Sequence, residues 1–349
     1  MPTWGQILKE INDLGSQLSQ NGAPPPISPY DIIRRKYLTD LVTKTGRPVI
    51  LYATAWTTGR SVSPEMISIG NEDTHALMET VHGIAGPSLD LILHSPGGSP
   101  SAAEAMVHYL RTRFNDIRVI VPNMAMSAAT MLACAADCVM MGKHSFLGPI
   151  DPQLIMQTAL GQRAVPAQAI VAQFKRAMEE CADPVKLRAW LPMLNQYGPD
   201  LLVTCQNASD LSEQLVTTWL ETYMFRGEAD ANTRAASIAS WLAGHDNFKN
   251  HGRPIARDAL KARGLKIADL EQDQEIQDLV LSIFHATIHT FSGTPAVKIV
   301  ENHLGKAYMK MANVMQAVQV GGIQHQFELL PMGPGMPQPL PMPSEHQPG

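Results

Sequence analysis

The 349-residue sequence lacks the features that mark membrane, secreted and nucleic-acid-binding proteins. Its longest apolar runs fall far short of the roughly 20 residues that a membrane-spanning helix needs, so we expect no transmembrane segment. With 27 basic and 32 acidic residues the net charge is −5, and no Arg-rich run stands out. We therefore do not expect nucleic acid as a partner. The N-terminus has no cationic segment followed by an apolar block, which predicts no signal peptide.

Cysteine is also scarce, with 4 residues in the chain. Cys134 and Cys138 have no second ligand pair nearby in sequence, which favours free buried thiols over a zinc site. His285 and His289 share one face of a predicted helix, but they lack the Glu of the zinc-protease pattern and a third ligand. The sequence therefore predicts no metal and no other cofactor, and it fits a cytoplasmic protein.

Composition divides the chain into three regions. Residues 1–28 combine a predicted amphipathic helix over 4–20 with a Pro-rich linker; the helix either packs on its own domain or docks on a partner. Residues 29–305 form the predicted main domain, which is α/β at first and mostly helical from about 160 to 303. The Pro- and Met-rich tail, residues 326–349, is predicted to be disordered.

Within the main domain, apolar runs alternate with helical patterns. This alternation predicts βαβ crossovers and a parallel sheet. The predicted strands are 48–53, 89–94, 117–121 and 138–141. The predicted helices are 71–81, 101–113, 127–136, 166–181, 184–194, 209–226, 230–242, 256–263 and 273–290.

Two of the predicted strands end in unusual turns. The strand over 89–94 runs into Ser-Pro-Gly-Gly, where Gly97 and Gly98 let backbone N–H groups approach a ligand closely. This turn predicts an oxyanion hole, and a plain tight turn between strand and helix is the alternative. No Gly-Lys-Ser/Thr follows, which disfavours a phosphate loop. The second turn leads to Ser127 at a predicted helix start, where the serine is either a nucleophile or an N-cap.

Two loops can supply the remaining groups of a catalytic triad. Asp151 precedes a proline, so its backbone is held extended in a stiff loop that suits orienting a histidine. His251 lies in a polar loop closed by Gly and Pro, and such a histidine can act as a base at neutral pH. Read alone, the two residues could equally be a turn aspartate and a solvent-exposed histidine.

Three other residues compete for the role of base. His245 precedes His251 in the same part of the chain, and His144 is close to Ser127 in sequence. Lys175 could act in a Ser–Lys dyad, but a lysine must be desolvated to do so. Its neighbours predict an amphipathic helix with this lysine on the surface.

Together, four segments resemble the serine dehydrogenase proteinase family, a distant relative of the Clp-type and signal-peptide-peptidase-A proteases: Leu91–Gly98, Ala125–Thr130, Leu147–Gln153 and His251–Ile255. The resemblance covers roughly residues 30–305 in the family's order, and Gly-Pro-Ile-Asp-Pro-Gln is its most specific string. It implies an α/β fold of the ClpP/crotonase type, with stacked βαβ units and a helical C-terminal half. It also implies assembly into rings or compact oligomers, so a homo-oligomer is expected.

The same resemblance implies an ATP-independent serine peptidase acting on peptide or protein substrates. Carried over to this sequence, it makes Ser127 the nucleophile, Asp151 the orienting acid and His251 the base. The oxyanion is then held by the two turns, through Gly98 and Ala128 with Gly97 shaping its turn. The order Ser, Asp, His departs from the Clp-type enzymes, and the Ser–Lys pair of the signal-peptide-peptidase branch keeps Lys175 a candidate.

Two other functions are compatible with the same fold. A crotonase-like acyl-CoA enzyme would need a basic patch for the phosphates of CoA, and the sequence shows none. A catalytically silent scaffold would act through the N-terminal helix or the Pro- and Met-rich tail.

Overall fold

The strands of the chain build one large sheet and two small ones. The computed structural model describes residues 3–19, 27–158 and 161–312, so the predicted tail over 326–349 and most of the predicted linker lie outside the described residues. The strands are β1 Val49–Thr54, β2 Ser88–His94, β3 Asp116–Val121, β4 Met124–Ala125, β5 Cys138–Met141, β6 Phe146–Leu147, β7 Gln153–Thr158, β8 Gly161–Pro166, β9 Ile255–Ala256, β10 Ile267–Asp269, β11 Ala296–Asn302 and β12 Ala307–Met311.

Helices fill the connections between these strands. They are α1 Trp4–Leu18, α2 Pro29–Thr45, α3 Pro64–Ile67, α4 Asp73–Val81, α5 Pro100–Arg113, α6 Ala128–Cys134, α7 Ala167–Glu180, α8 Pro184–Leu194, α9 Leu201–Trp219, α10 Ala231–Ala243, α11 His245–Phe248, α12 Arg257–Ala262 and α13 Gln274–Gly293. A π-helical turn, Leu220–Met224, follows α9, and a 3₁₀ turn, Leu270–Gln272, precedes α13.

The large sheet has the spatial order β10–β5–β3–β2–β1–β11–β12. The pairs from β10 to β1 are parallel, whereas β11 pairs antiparallel with β1 and β12 antiparallel with β11. β1 is buried along its whole length, as is β2 after its first residue. Near-continuous apolar strands of this kind are what a sheet covered on both faces requires. The α/β class is therefore confirmed, and the predicted parallel pairing holds from β10 to β1 of a mixed sheet.

Helices cover both faces of this sheet. On one face, α4 and α5 pack with α6, α9 and α10 through buried residues that include Leu77 and Met106. On the other face, α2 and α13 pack through residues that include Leu38 and Phe291. The parallel strands thus lie between two apolar layers, and their carboxyl ends open towards the loops that carry the candidate site.

A small sheet extends the carboxyl end of β2. β4 and β6 are parallel and β9 pairs antiparallel with β6, while β7 and β8 form a separate hairpin. A parallel bridge between Ser95 and Ala125 joins the end of β2 to β4. The two turns that the sequence singled out are therefore held side by side.

The N-terminal helix packs on its own chain. The predicted helix over 4–20 is α1, which ends at Leu18. Ile7 and Ile11 are buried against Ile33 of α2 and Ala286 of α13. The interpretation as a helix that packs on its own domain is thus the one that the structure supports.

The stretch from about 160 to 303 is mostly helical, as predicted, but it also contains the strands β8, β9, β10 and β11. The second strand of the β7–β8 hairpin occupies its beginning, and β11 occupies its end. β11 is buried throughout because it fills the place next to β1, a pairing between distant parts of the chain that local periodicity cannot reveal. The helix predicted over 209–226 is also misplaced, since α9 begins at Leu201.

A buried ion pair fixes the segment in front of α4. Lys298 Nζ lies 2.8 Å and 2.9 Å from the two carboxylate oxygens of Asp73, and both residues are fully buried. Lys298 also donates to Ser68 O, while Asp73 Oδ2 accepts from Tyr52 OH and Gly70 N. Burial raises the pKa of Tyr52 well above its ordinary value, so the phenol stays a donor. These bonds hold residues 68–70 in one conformation.

Replacing Lys298 by Met should lower the free energy of unfolding by about 3–5 kcal/mol, because Asp73 would be left buried without its counter-ion. Chemical denaturation of the purified variant measures this loss. The matched control is Lys9→Met, which breaks the exposed pair with Asp13 and should cost less than about 1 kcal/mol. Equal effects of the two substitutions would show that the buried pair contributes nothing special.

Candidate active site

A cleft of about 410 Å³ lies beside the turns that follow β2 and β4. Gly97, Gly98, Ser127 and His251 all line it, although they come from distant parts of the sequence. The structure thus brings together four of the residues that sequence reasoning singled out. Asp151 is buried directly behind His251.

Ser127 stands in a strained conformation between β4 and α6. Its backbone has φ 53° and ψ −123°, a region that residues other than glycine rarely adopt. Such strain persists only where the surroundings enforce it, and it is common at active sites. Here Ser95 N donates to Met124 O and Ser95 O accepts from Met126 N, which pins the chain on the N-terminal side. The Ser127 side chain caps none of the N–H groups of α6, so the alternative role as an N-cap is not the one it has.

The two glycines fit where no side chain could. Gly97 has φ 96°, and a Cβ added there would lie 2.7 Å from Ser127 Cβ and 2.8 Å from Ala128 N. Gly98 has φ 153°, and its Cβ would lie 2.4 Å from Ile69 O. Positive φ and contacts this short leave glycine as the residue that both positions require. The glycine turn therefore touches the serine turn directly.

Backbone amides at this junction have unequal roles. Gly97 N donates to Ser95 Oγ at 3.1 Å, so this amide is already occupied. The residues on either side of Gly98 bond to Ile69: Ile69 N donates to Gly97 O at 2.7 Å, and Ser99 N donates to Ile69 O at 3.0 Å. Over residues 27–158 and 161–312, the N–H groups of Gly98 and Ala128 donate to no protein acceptor. Two amides without a protein acceptor thus lie beside Ser127 in the two turns, and Gly98 lines the cleft itself.

Asp151 accepts hydrogen bonds from two imidazoles. Its Oδ1 lies 2.7 Å from His251 Nδ1, and its Oδ2 lies 2.9 Å from His245 Nδ1. Gln153 Nε2 also donates to Oδ2, at 3.1 Å. A carboxylate bonded to Nδ1 fixes the tautomer in which Nε2 is the acceptor. The loop of Asp151 is itself anchored, since Ile150 N donates to a backbone carbonyl at the end of α10.

The alternative bases lie elsewhere. Lys175 is exposed on α7 and does not line the cleft. His144 packs against Gly142, with its ring near His285 of α13, and it does not line the cleft either.

Sequence reasoning missed two features of the site. It did not anticipate that Asp151 meets both His245 and His251, although their closeness along the chain was a usable signal. It also missed that α9 borders the cleft, which Ala208, Leu211 and Ser212 line. The pattern of α9 gives no hint of this contact, because the helix approaches the site only through tertiary packing.

The side chains around the cleft are apolar or neutral. Met131, Ile150, Leu154 and Leu211 supply apolar surface, and His251 is the one titratable side chain in the lining that the structure describes. The cleft therefore suits an uncharged, partly apolar ligand.

Across the described ranges, no helix is both long and apolar enough to cross a membrane, and no three His, Cys, Asp or Glu side chains are grouped to hold a metal.

Comparison with known families places the glycine turn, the serine and the aspartate in one matched stretch. Residues 67–186 match the family described as ClpP-like SDH-type serine proteinase. The match ends before His251. The family match and the α/β sheet together confirm the ClpP-like fold, and the match contains three of the four segments on which the resemblance was based.

Two curated relatives are uncharacterized proteins of Methanocaldococcus jannaschii. MJ0137 is 37% identical over 115 residues, which cover 32% of this chain and 37% of that protein. MJ1495 is 37% identical over 144 residues, which cover 39% of this chain and 47% of that protein. The match thus spans less than half the length of either relative.

Two of the solved structures that match this chain have low sequence identity to it. A mutant of the 1510-N membrane-bound stomatin-specific protease is 12% identical with a TM-score of 0.33, covering 57% of this chain and 74% of its own. A mutant ClpP1 from Listeria monocytogenes is 11% identical with a TM-score of 0.34, covering 69% of this chain and 98% of its own.

Proposed function

We propose that the chain is a serine peptidase with Ser127 as its nucleophile, since residues 67–186 match the ClpP-like SDH-type serine proteinases. The observation that carries the proposal is the hydrogen bond of 2.7 Å from His251 Nδ1 to Asp151 in the wall of the cleft that Ser127 also lines. A buried carboxylate, an oriented imidazole and a strained serine are the parts that acyl transfer needs.

In the proposed reaction, His251 Nε2 takes the proton of Ser127 Oγ while that oxygen attacks the carbonyl carbon of a peptide. Asp151 stabilises the imidazolium through its bond to Nδ1. The imidazolium then gives its proton to the leaving amine, which leaves an acyl-enzyme. Water attacks this ester with His251 again acting as the base, and the carboxylic acid product departs as Ser127 regains its proton.

The oxyanion of each tetrahedral intermediate requires donors beside the nucleophile. The amides of Gly98 and Ala128 are available for it, whereas Gly97 N is bonded to Ser95 and shapes the turn. One donor of this kind contributes about 3–4 kcal/mol of transition-state stabilisation. Their position next to Ser127 therefore supports acyl transfer over a plain structural turn.

The lining of the cleft points to the residue whose carbonyl is attacked. Apolar side chains of α6, α9 and the loop after β6 surround the space, without a Lys, Arg, Asp or Glu in the described lining. A charged substrate side chain would lose its hydration without gaining a partner. The same lining offers no cation for the phosphates of an acyl-CoA, which favours a peptidase over a crotonase-like enzyme.

Peptides that differ only at the residue before the cleaved bond test this proposal. With the purified chain, kcat/KM for Leu at that position should exceed the value for Asp by about 100-fold or more. Asn is the matched control, because it has the shape of Asp without the charge and should fall between them. Equal cleavage of the Leu and Asp peptides, or no cleavage of any, would count against it.

Location and assembly stay predictions of this proposal. A cytoplasmic location, action without an ATPase and assembly into a homo-oligomer follow from the resemblance and from the composition. If the purified protein binds peptides in the cleft but cleaves none, the chain would instead be a catalytically silent scaffold.

A further inference from the structure

We propose that His245 is a positioning residue of the catalytic site, which holds Asp151 so that the carboxylate keeps His251 in place. The inference rests on the proposed function, since it takes His251 as the base. His245 meets the opposite oxygen of the same carboxylate, with its Nδ1 at 2.9 Å from Asp151 Oδ2. It does not line the cleft.

His251 depends on a fixed orientation of the Asp151 carboxylate. Within the described chain, the one hydrogen bond of the His251 ring is the bond to Asp151 Oδ1. The ring is about a quarter exposed, and its loop is polar. Any rotation of the carboxylate would therefore carry His251 Nε2 with it. A misplacement of about 1 Å at a reacting group can lower the rate about 100-fold.

The carboxylate in turn depends on its second oxygen being satisfied. Asp151 is 1% exposed, so in the intact protein its oxygens depend on donors from the chain. Gln153 Nε2 donates to Oδ2 at 3.1 Å, which is longer than the bond from His245. With donors on both oxygens, the plane of the carboxylate is fixed. Of the two hydrogen bonds to Oδ2, the one from His245 is the shorter.

His245 is itself anchored from behind. Its backbone N–H donates to Gln168 Oε1 at 2.8 Å, and Gln168 Nε2 donates to Ala243 O at 3.1 Å. This pair of bonds ties the start of α11 and the end of α10 to α7. The next residue, Asp246, is paired with Lys249 at 2.7 Å and not with the ring. His245 is therefore held in place by α7, α10 and α11, and its ring in turn holds Asp151.

Asparagine separates the role of a holder from the role of a base. Its amide Nδ2 takes the place of an imidazole Nδ1 donor, but it has no group at the place of Nε2. His245→Asn should therefore keep kcat within about threefold of the parent, whereas His251→Asn should lose almost all activity. His245→Ala should lower kcat by about 10- to 100-fold with little change in KM. Thermal unfolding of each variant shows whether it is folded.

Two results would overturn the inference. If His245→Asn were as inactive as His251→Asn, His245 would carry a proton in the reaction. If His245→Ala kept full activity, the second hydrogen bond would position nothing.

A readout that does not use hydrolysis separates this inference from the proposed function. In ¹⁵N-histidine NMR spectra of the whole chain, both rings should carry their proton on Nδ1, and His245→Ala should speed the exchange of the His251 Nδ1 proton with water. An unchanged exchange rate would contradict positioning even if the protein cleaves no peptide. Absence of peptide cleavage with the expected spectra would contradict the peptidase alone.

Discussion

Replacing Ser127 by Ala should lower kcat for peptide hydrolysis by about a millionfold, the loss that follows removal of the nucleophile from a serine triad. The amides of Gly98 and Ala128 would remain, so a small acceleration over the uncatalysed reaction should survive. The substitution removes one hydroxyl from a cleft wall and leaves the packing of α6 intact. KM should therefore change little, and a fluorogenic peptide assay with purified protein measures both constants.

Ser101 provides the matched control for this experiment. It lines the same cleft at the start of α5. Unlike Ser127, it has no positive φ, and Gly97 does not pack against it. Ser101→Ala should keep kcat within a few-fold of the parent. If Ser127→Ala retained its activity, or if Ser101→Ala lost as much, the nucleophile would have to be sought elsewhere.

Replacing Gly97 by Ala should abolish activity and also destabilise the fold. The added methyl would lie 2.5 Å from Met126 O and 2.7 Å from Ser127 Cβ, so the two turns must move apart. Moving them separates the nucleophile from the amides that serve the oxyanion, which we expect to lower kcat by more than about 100-fold. Strain at φ 96° and the overlap together should cost about 2–4 kcal/mol of unfolding free energy.

Gly86 separates these two effects. It also has positive φ, at 87°, but a Cβ added there meets nothing within 4 Å. Gly86→Ala should therefore cost about 1–2 kcal/mol from the backbone alone and leave kcat unchanged. Denaturation curves and peptide assays on both variants decide the matter; equal activity of the two would mean that contact between the turns is not required.

Local sequence was enough to predict the half of the site that lies on two neighbouring strands. The apolar run of β2 ends in Gly97 and Gly98, and the run of β3 is followed by the turn that carries Ser127. Parallel strands place their carboxyl ends at one edge of a sheet, so closeness of the two turns follows from the βαβ pattern. The strain at Ser127 itself could not be predicted, because local sequence does not reveal the contacts between the two turns.

The other half depends on contacts between distant parts of the chain. Sequence patterns ranked His251 ahead of His245, but they could not reveal that Asp151 receives both. The strand β11 was missed for the same reason, since its place is set by pairing with β1 and by the burial of Lys298 against Asp73. Position in these cases is determined by tertiary packing, which overrides local propensity.

The most direct test of the central claim, that Ser127 is activated by His251, is the reaction of the purified chain with a fluorophosphonate, with the modified residue located by mass spectrometry. The account predicts a single adduct on the Ser127 peptide, formed at least about 100-fold more slowly in His251→Asn. An adduct on another serine, or labelling of Ser127 at the same rate in both proteins, would contradict it.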